Sequence, residues 1–193
     1  MGILTEFGSG SYYIDNFKGQ VAKEYPNARL IDISNEIKPF DVAEGAWTLY
    51  NAAKTFPPES IFLAIVNPGG DMRKSRLIIT KNPKYYFVGC AESVFDHGVA
   101  RFQLDNAYVV ASNNDDDTFG IQTFVPIIQA LLGGLSQDEL KARNLVGREL
   151  DYYPRSLKSS TVEAEFKDDG AYGYVCATDR WGNLQSNIPQ HGF

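Results

Sequence analysis

The sequence predicts an α/β protein: an α/β domain over residues 1–150, followed by a β segment over 151–193. Three observations lead there. Strand and helix signals alternate over the first 135 or so residues, the pattern of an α/β domain. The apolar run Ile61-Phe62-Leu63-Ala64-Ile65-Val66 stops abruptly at Asn67-Pro68-Gly69-Gly70, as a buried strand does when it delivers a loop to a sheet edge. From about Leu150 the helical spacing gives way to short alternating stretches.

Taken in order, Ile3 to Phe7 reads as a strand running into the flexible loop Gly8-Ser9-Gly10-Ser11. Tyr13 to Glu24 carries Ile14, Phe17, Val21 and Ala22 at helical spacing, and Pro26 ends it. Arg29 to Ile33 is a strand. Asp41 with Glu44 three residues later has the spacing of a capping box, opening a helix with Val42, Ala46, Leu49 and Ala53 on one face. It stops before Pro57-Pro58. After the central run, Ser75 to Thr80 and Tyr86 to Gly89 are strand-like. Phe124 to Leu132 is a helix that tolerates Pro126 near its start, and Ser136 with Glu139 opens another. Thr161 to Phe166 and Tyr172 to Ala177 alternate on either side of the turn Asp168-Asp169-Gly170. There is no internal repeat and no low-complexity tract.

Composition narrows the function classes. The chain has 193 residues, enough for a sizeable core, with 44% hydrophobic and 22% charged residues. A formal charge of −6 and a pI near 4.9 argue against nucleic acid, because nothing supplies a surface that neutralises phosphates. The apolar runs fall far short of the roughly 20 residues a membrane span needs. No secretory pattern opens the chain, so the expected setting is the cytoplasm. Cys90 and Cys176 have neither metal-ligand nor framework spacing. The acidic stretch Asn113-Asn114-Asp115-Asp116-Asp117 is dense in oxygen ligands but lacks the spacing of a calcium loop, and no metal is expected. The 11 Tyr and 12 Phe suit stacking on a flat ligand and equally suit a filled core.

Four segments together carry a resemblance: Leu4-Thr5-Glu6-Phe7-Gly8 with Tyr13 and Lys18-Gly19; Ile33-Ser34-Asn35-Glu36-Ile37 through Pro39-Phe40-Asp41-Val42-Ala43-Glu44-Gly45-Ala46; Val66-Asn67-Pro68-Gly69-Gly70; and Asp179-Arg180-Trp181-Gly182-Asn183-Leu184 ending in Ser186-Asn187-Ile188. In this order and spacing they resemble the S-adenosylmethionine (SAM) hydroxide adenosyltransferases, relatives of the fluorinating and chlorinating enzymes. The resemblance implies a mixed-sheet α/β domain and a β-barrel, of which residues 151–193 supply a truncated part. It implies SAM as substrate, a small-molecule nucleoside bound between subunits of a homotrimer, and displacement at the ribose 5′ carbon giving adenosine and methionine.

It also implies roles by position. Asn67 stands where the family has a catalytic Asp; an amide orients a water but cannot take its proton. Asn67 equally suits the start of a turn before Pro68. The family arginine falls near Lys74, with Arg73 and Arg76 close by; all three also read as solvated surface charges. The family histidine falls at or beside Phe119, while the chain's histidines are His97 and His191. Glu6 keeps a carboxylate, one methylene longer, where an Asp holds the ribose hydroxyls, and Ser11 replaces a second loop carboxylate. Phe40 lies where a ring packs on the nucleoside, or else staples the helix that follows. Trp181 is expected to stack on adenine, Asn183 to bond its edge and Asp179 to pair with an ammonium, although Trp-Gly-Asn is also a good hairpin turn. The replaced positions leave a second expectation beside the enzyme: a catalytically silent relative that binds a nucleoside or serves in an assembly. A Phe at the histidine position also suits a poorly hydrated nucleophile other than water.

Overall fold

The structure, a computed structural model, describes residues 1–66, 75–90, 94–95, 101–111, 121–151, 164–179 and 181–188. Its centre is a seven-stranded mixed sheet in the order β2-β1-β3-β5-β4-β6-β7. The strands are β1 (Gly2–Thr5), β2 (Ile31–Ser34), β3 (Ile61–Ile65), β4 (Ser75–Thr80), β5 (Tyr86–Cys90), β6 (Leu104–Val110) and β7 (Val146–Glu149). β2, β1, β3 and β5 run parallel, whereas β4, β6 and β7 join antiparallel. The mixed sheet is as expected. β6 and β7 are additions that the sequence pattern did not reveal.

Alternation in the central strands builds two cores. Ile61, Leu63 and Ile65 of β3 face one side, together with Ile3, Leu77, Ile79 and Val88. Helix α1 (Tyr12–Glu24) covers that side with Ile14, Phe17 and Val21, beside α3 (Phe124–Leu132). Phe62, Ala64 and Val66 face the other side, against Leu49 and Ala53 of α2 (Val42–Ala53) and the rings of Tyr85, Phe87 and Phe102. These rings form one contiguous cluster: Phe62 and Phe87 stack at 5.1 Å, and Tyr85 meets Phe62 edge-on at 5.3 Å. The Tyr85 hydroxyl lies within hydrogen-bond distance of the carbonyls of Ala53 (2.9 Å) and Phe56 (2.8 Å), offering its single proton to the end of α2. A buried strand with both faces covered reads as a continuous apolar run, which is why β3 stands out in the sequence.

The short helix α4 (Gln137–Ala142) starts with the expected capping box: Glu139 N donates to Ser136 Oγ at 3.3 Å, and Ser136 N to Glu139 Oε2 at 2.8 Å. Beyond β7 lie two separate antiparallel pairs, β8 (Glu165–Lys167) with β9 (Gly170–Tyr172), and β10 (Val175–Thr178) with β11 (Leu184–Ser186). The alternating stretch Tyr172 to Ala177 is thus divided between two hairpins at Gly173-Tyr174. The described residues show no closed barrel. β10 lies against α2, and the buried Asn187 closes the second hairpin by accepting from Tyr174 N at 2.8 Å.

One close approach is tight enough to test. Gly89 of β5 pairs with Ala64 of β3, and a Cβ added at Gly89 would lie 1.9 Å from the Ala64 carbonyl oxygen. Gly89→Ala therefore forces two buried strands apart. We expect a loss of about 1–3 kcal/mol, the ordinary cost of overpacking, read as a lower urea midpoint at unchanged slope.

Candidate functional site

β1 pairs with β2 on one side and β3 on the other, and the helices after β1 and β2 cover opposite faces. The chain's winding thus reverses between β1 and β3. At such a switch point the loops leaving the carboxyl ends of the two strands diverge and open a crevice, which is where ligands bind in open α/β sheets. Here Thr5 pairs with Ile65 at that edge, so the loops begin at Glu6 and Val66.

The ladder then carries the edge across the sheet. Ile65 pairs with Cys90, Cys90 with Ser75, and Arg76 with Val109. Val66 and Ser75, which flank residues 67–74, both stand at this edge, and so does Ala111, which precedes 112–120. Asn67, Arg73, Lys74 and Phe119 lie outside the described residues, as do Asn113 to Asp117, but the topology delivers chain at their borders to one rim. Arg76, the further candidate cation, is half-buried on β4 and donates to the Ser75 carbonyl at 3.0 Å.

Backbone hydrogen bonds to side chains build the rim itself. The Thr5 hydroxyl donates to Asn35 Oδ1 at 3.0 Å and accepts from Phe7 N at 3.3 Å, both residues of the pair being buried. Gly8 N donates to the Asn35 carbonyl (2.7 Å), and Ser9 N to Glu36 Oε1 (2.7 Å). Ile37 N donates to the Thr5 carbonyl at 3.3 Å. The loop after β1 and the loop after β2 are thereby sewn together. Asn35 and Glu36 belong to a segment the sequence marks, yet only the structure shows their role; polar residues directly after a strand were the available signal.

Of the expected ligand contacts, three sit on this rim. Ser11 is the N-cap of α1, but its side chain makes no capping hydrogen bond; Ile14 N is met by the Ser11 carbonyl instead, at 3.2 Å. Phe40 has φ +67° and is 69% exposed. The staple alternative fails because the helical position that would receive the ring is Gly45, which has no side chain. Glu6 accepts from Phe40 N at 2.6 Å through Oε2. The expected box at Asp41 is half realised: Glu44 N donates to Asp41 Oδ1 at 2.9 Å, while the Glu44 carboxylate reaches Lys38 N at 3.1 Å instead of the cap's own N–H. Tyr12, 64% exposed, packs its ring 4.0 Å from that of Tyr13 at the adjoining start of α1.

The other three form the tip of the β10–β11 hairpin. Asp179 Oδ1 accepts from Trp181 N and Asn183 N, each at 2.9 Å, and Oδ2 accepts from Asn183 Nδ2 at 2.7 Å. Gly182 takes φ +86°, which the turn requires. The Asn183 side chain and the backbone amides of the turn hold the Asp179 carboxyl below the usual range. Asp179 and Asn183 are thus bonded to each other, and Trp181 stands 80% exposed beyond them. Among the described residues no three or more His, Cys, Asp or Glu come close enough to hold a metal, and no described helix is long and apolar enough to cross a membrane.

Three comparisons bear on this geometry. The model of the SAM hydroxide adenosyltransferase N-terminal domain matches residues 1–141. The (R)-S-adenosyl-L-methionine hydrolase of Methanocaldococcus jannaschii is 40% identical over 100 residues, covering 49% of this chain and 37% of that protein. A crystal structure of an uncharacterised conserved protein from Thermotoga maritima superposes with a TM-score of 0.81 at 28% identity, over 97% of this chain and 71% of that one. The match to the hydrolase therefore spans well under half of that relative's length.

Ser9, through its hydroxyl and then its amide, holds the Glu36 carboxyl below the usual glutamate range, against a smaller opposing effect of burial. A depressed carboxyl stabilises the clasp above its unfolded-state value and loses that effect as pH falls through the folded one. The Glu36 side chain should accordingly titrate, by NMR, at lower pH than an unstructured glutamate, and Ser9→Ala should move the midpoint upward. A midpoint at the free value would remove the clasp.

Proposed function

This chain belongs to the SAM hydroxide adenosyltransferase family, and from that premise we propose that it cleaves SAM by displacement at the ribose 5′ carbon, giving adenosine and methionine. The observation that carries the reading is topological. Loops from the family's matched span converge on the β1–β3 switch point, and the borders of the segments bearing Asn67, Arg73, Lys74 and Phe119 stand at the same edge.

In the reaction, the oxygen of water or hydroxide forms a bond to the 5′ carbon. The carbon–sulfur bond breaks, and its electron pair neutralises the sulfonium, so methionine departs as a neutral thioether. A good leaving group asks the protein mainly to place and desolvate the nucleophile. Asn67, Arg73 and Lys74 are assigned to that task. Asn67 orients the water through its amide and leaves the proton to solvent, since an amide is no general base. Glu6, Ser11, Phe40 and Phe119 border the sugar and base. Asp179 and Asn183 shape the turn that offers Trp181 to a purine face. We propose the nucleoside site within a homotrimer, a cytoplasmic setting, and a division of the chain at about residue 150 into a SAM-binding-like domain and a partial barrel.

A second reading is favoured by Asn67 and Phe119, which stand where the resemblance implies a catalytic Asp and His: a relative that binds a nucleoside without turning it over. Purified protein incubated with SAM and analysed by chromatography separates the two. The first predicts adenosine and methionine in equal amounts, with turnover lost in Asn67→Ala. Because stacking a base on an aromatic ring contributes about 1–3 kcal/mol, Trp181→Ala should weaken SAM binding about tenfold. Heat of binding without product would select the second reading, and neither heat nor product would reject both.

A further inference from the structure

We propose that Glu6 is a positioning residue for Phe40: its carboxylate is a strut that fixes the exposed ring at the rim of the crevice. The inference rests on the preceding reading only for what the ring then meets, a nucleoside. The strut itself stands on geometry.

Phe40 adopts φ +67°, a conformation that L-residues with a side chain disfavour. At 69% exposure, packing does little to hold it there. Its own loop supplies two bonds around it, Asp41 N to the Lys38 carbonyl (2.9 Å) and Val42 N to the Phe40 carbonyl (3.0 Å). Among the described residues, the hydrogen bond that reaches Phe40 from outside that loop is from Phe40 N to Glu6 Oε2, at 2.6 Å. It is short and charge-assisted, the stronger kind.

Both ends of the strut are anchored. Glu6 continues β1, with its N–H on the Ile65 carbonyl at 3.3 Å, and the chain entering the Phe40 loop is tied to Thr5 through Ile37 and to Glu44 through Lys38. The bond therefore joins the end of the β1–β3 pair to the entry of α2.

Side-chain length makes this possible. An aspartate in place of Glu6 would fall short by one carbon–carbon bond, about 1.5 Å, far too much for a hydrogen bond to survive. The extra methylene, which against the family's aspartate looks like a conservative change, thus commits one carboxylate oxygen to the neighbouring loop. What reach decides acts through Phe40.

Backbone amide exchange of Phe40, resolved by NMR, tests the strut without any ligand. We expect protection in the native protein and in Glu6→Gln, which keeps both the reach and an acceptor oxygen, and exchange at least tenfold faster in Glu6→Asp and Glu6→Ala. Equal exchange in all four proteins would overturn the proposal. Adenosine titrated calorimetrically tests the consequence: Glu6→Asp should weaken binding at least fivefold in the native background and have no such effect in Phe40→Ala. The same loss in both backgrounds would mean that Glu6 meets the ligand directly, which also overturns the proposal. If adenosine binds to none of the variants while the exchange pattern holds, the strut stands and the nucleoside reading falls.

Discussion

The pairing of β1 with β3, Thr5 against Ile65 at its end, is the constraint from which the functional edge follows. β1 is flanked on both sides, by β2 and β3, and the connecting helices cover opposite faces because β1 and β3 are apolar on both. The place of the candidate site, where the winding reverses between β1 and β3, is therefore a consequence of how the core is covered, and side chains only furnish it.

Carboxylates furnish it in an unexpected way. In a chain of net charge −6, Glu6, Glu36 and Glu44 all sit near the rim, and each accepts a backbone N–H from a rim loop. Asp179 does the same for the turn under Trp181. Anions spent on amides raise the order of glycine- and proline-containing loops that have few apolar contacts of their own. Exposed rings stand in both regions: Phe40 and Tyr12 on the rim, Trp181 at the tip of the hairpin. Flat apolar rings on backbone held by charge-assisted bonds are suited to a flat, weakly polar ligand face.

Local signals proved reliable wherever one element decides its own geometry. The Ser136 box, the Asp41 cap, the buried run of β3 and the α1 stripe of Ile14, Phe17 and Val21 are as the spacing suggests, whereas Ala22, expected on that stripe, is exposed. They fail where a second element competes. Glu44 leaves the cap of its own helix for Lys38 because the loop before α2 folds back within reach. β6 and β7 carry no clear strand pattern because Leu104–Val110 and Val146–Glu149 mix polar and apolar residues at the antiparallel side of the sheet, where partner strands set what is buried. For the hairpin tip, the turn reading and the ligand reading of Asp179-Arg180-Trp181-Gly182-Asn183 were both open. The turn uses Asp179 and Asn183, and leaves Trp181 outward.

The sequence by itself determined the α/β class, the helices with their caps, the central strand and the family, because each rests on periodicity or on residues close together along the chain. Tertiary structure alone decided that the borders of distant segments share one sheet edge, that Asn35 and Glu36 sew two loops together, and that Glu6 ends on Phe40 N. Those facts depend on strand order and on distances of a fraction of a side chain. A one-dimensional pattern carries neither, since the residues concerned are brought together only when the two faces of the sheet are covered.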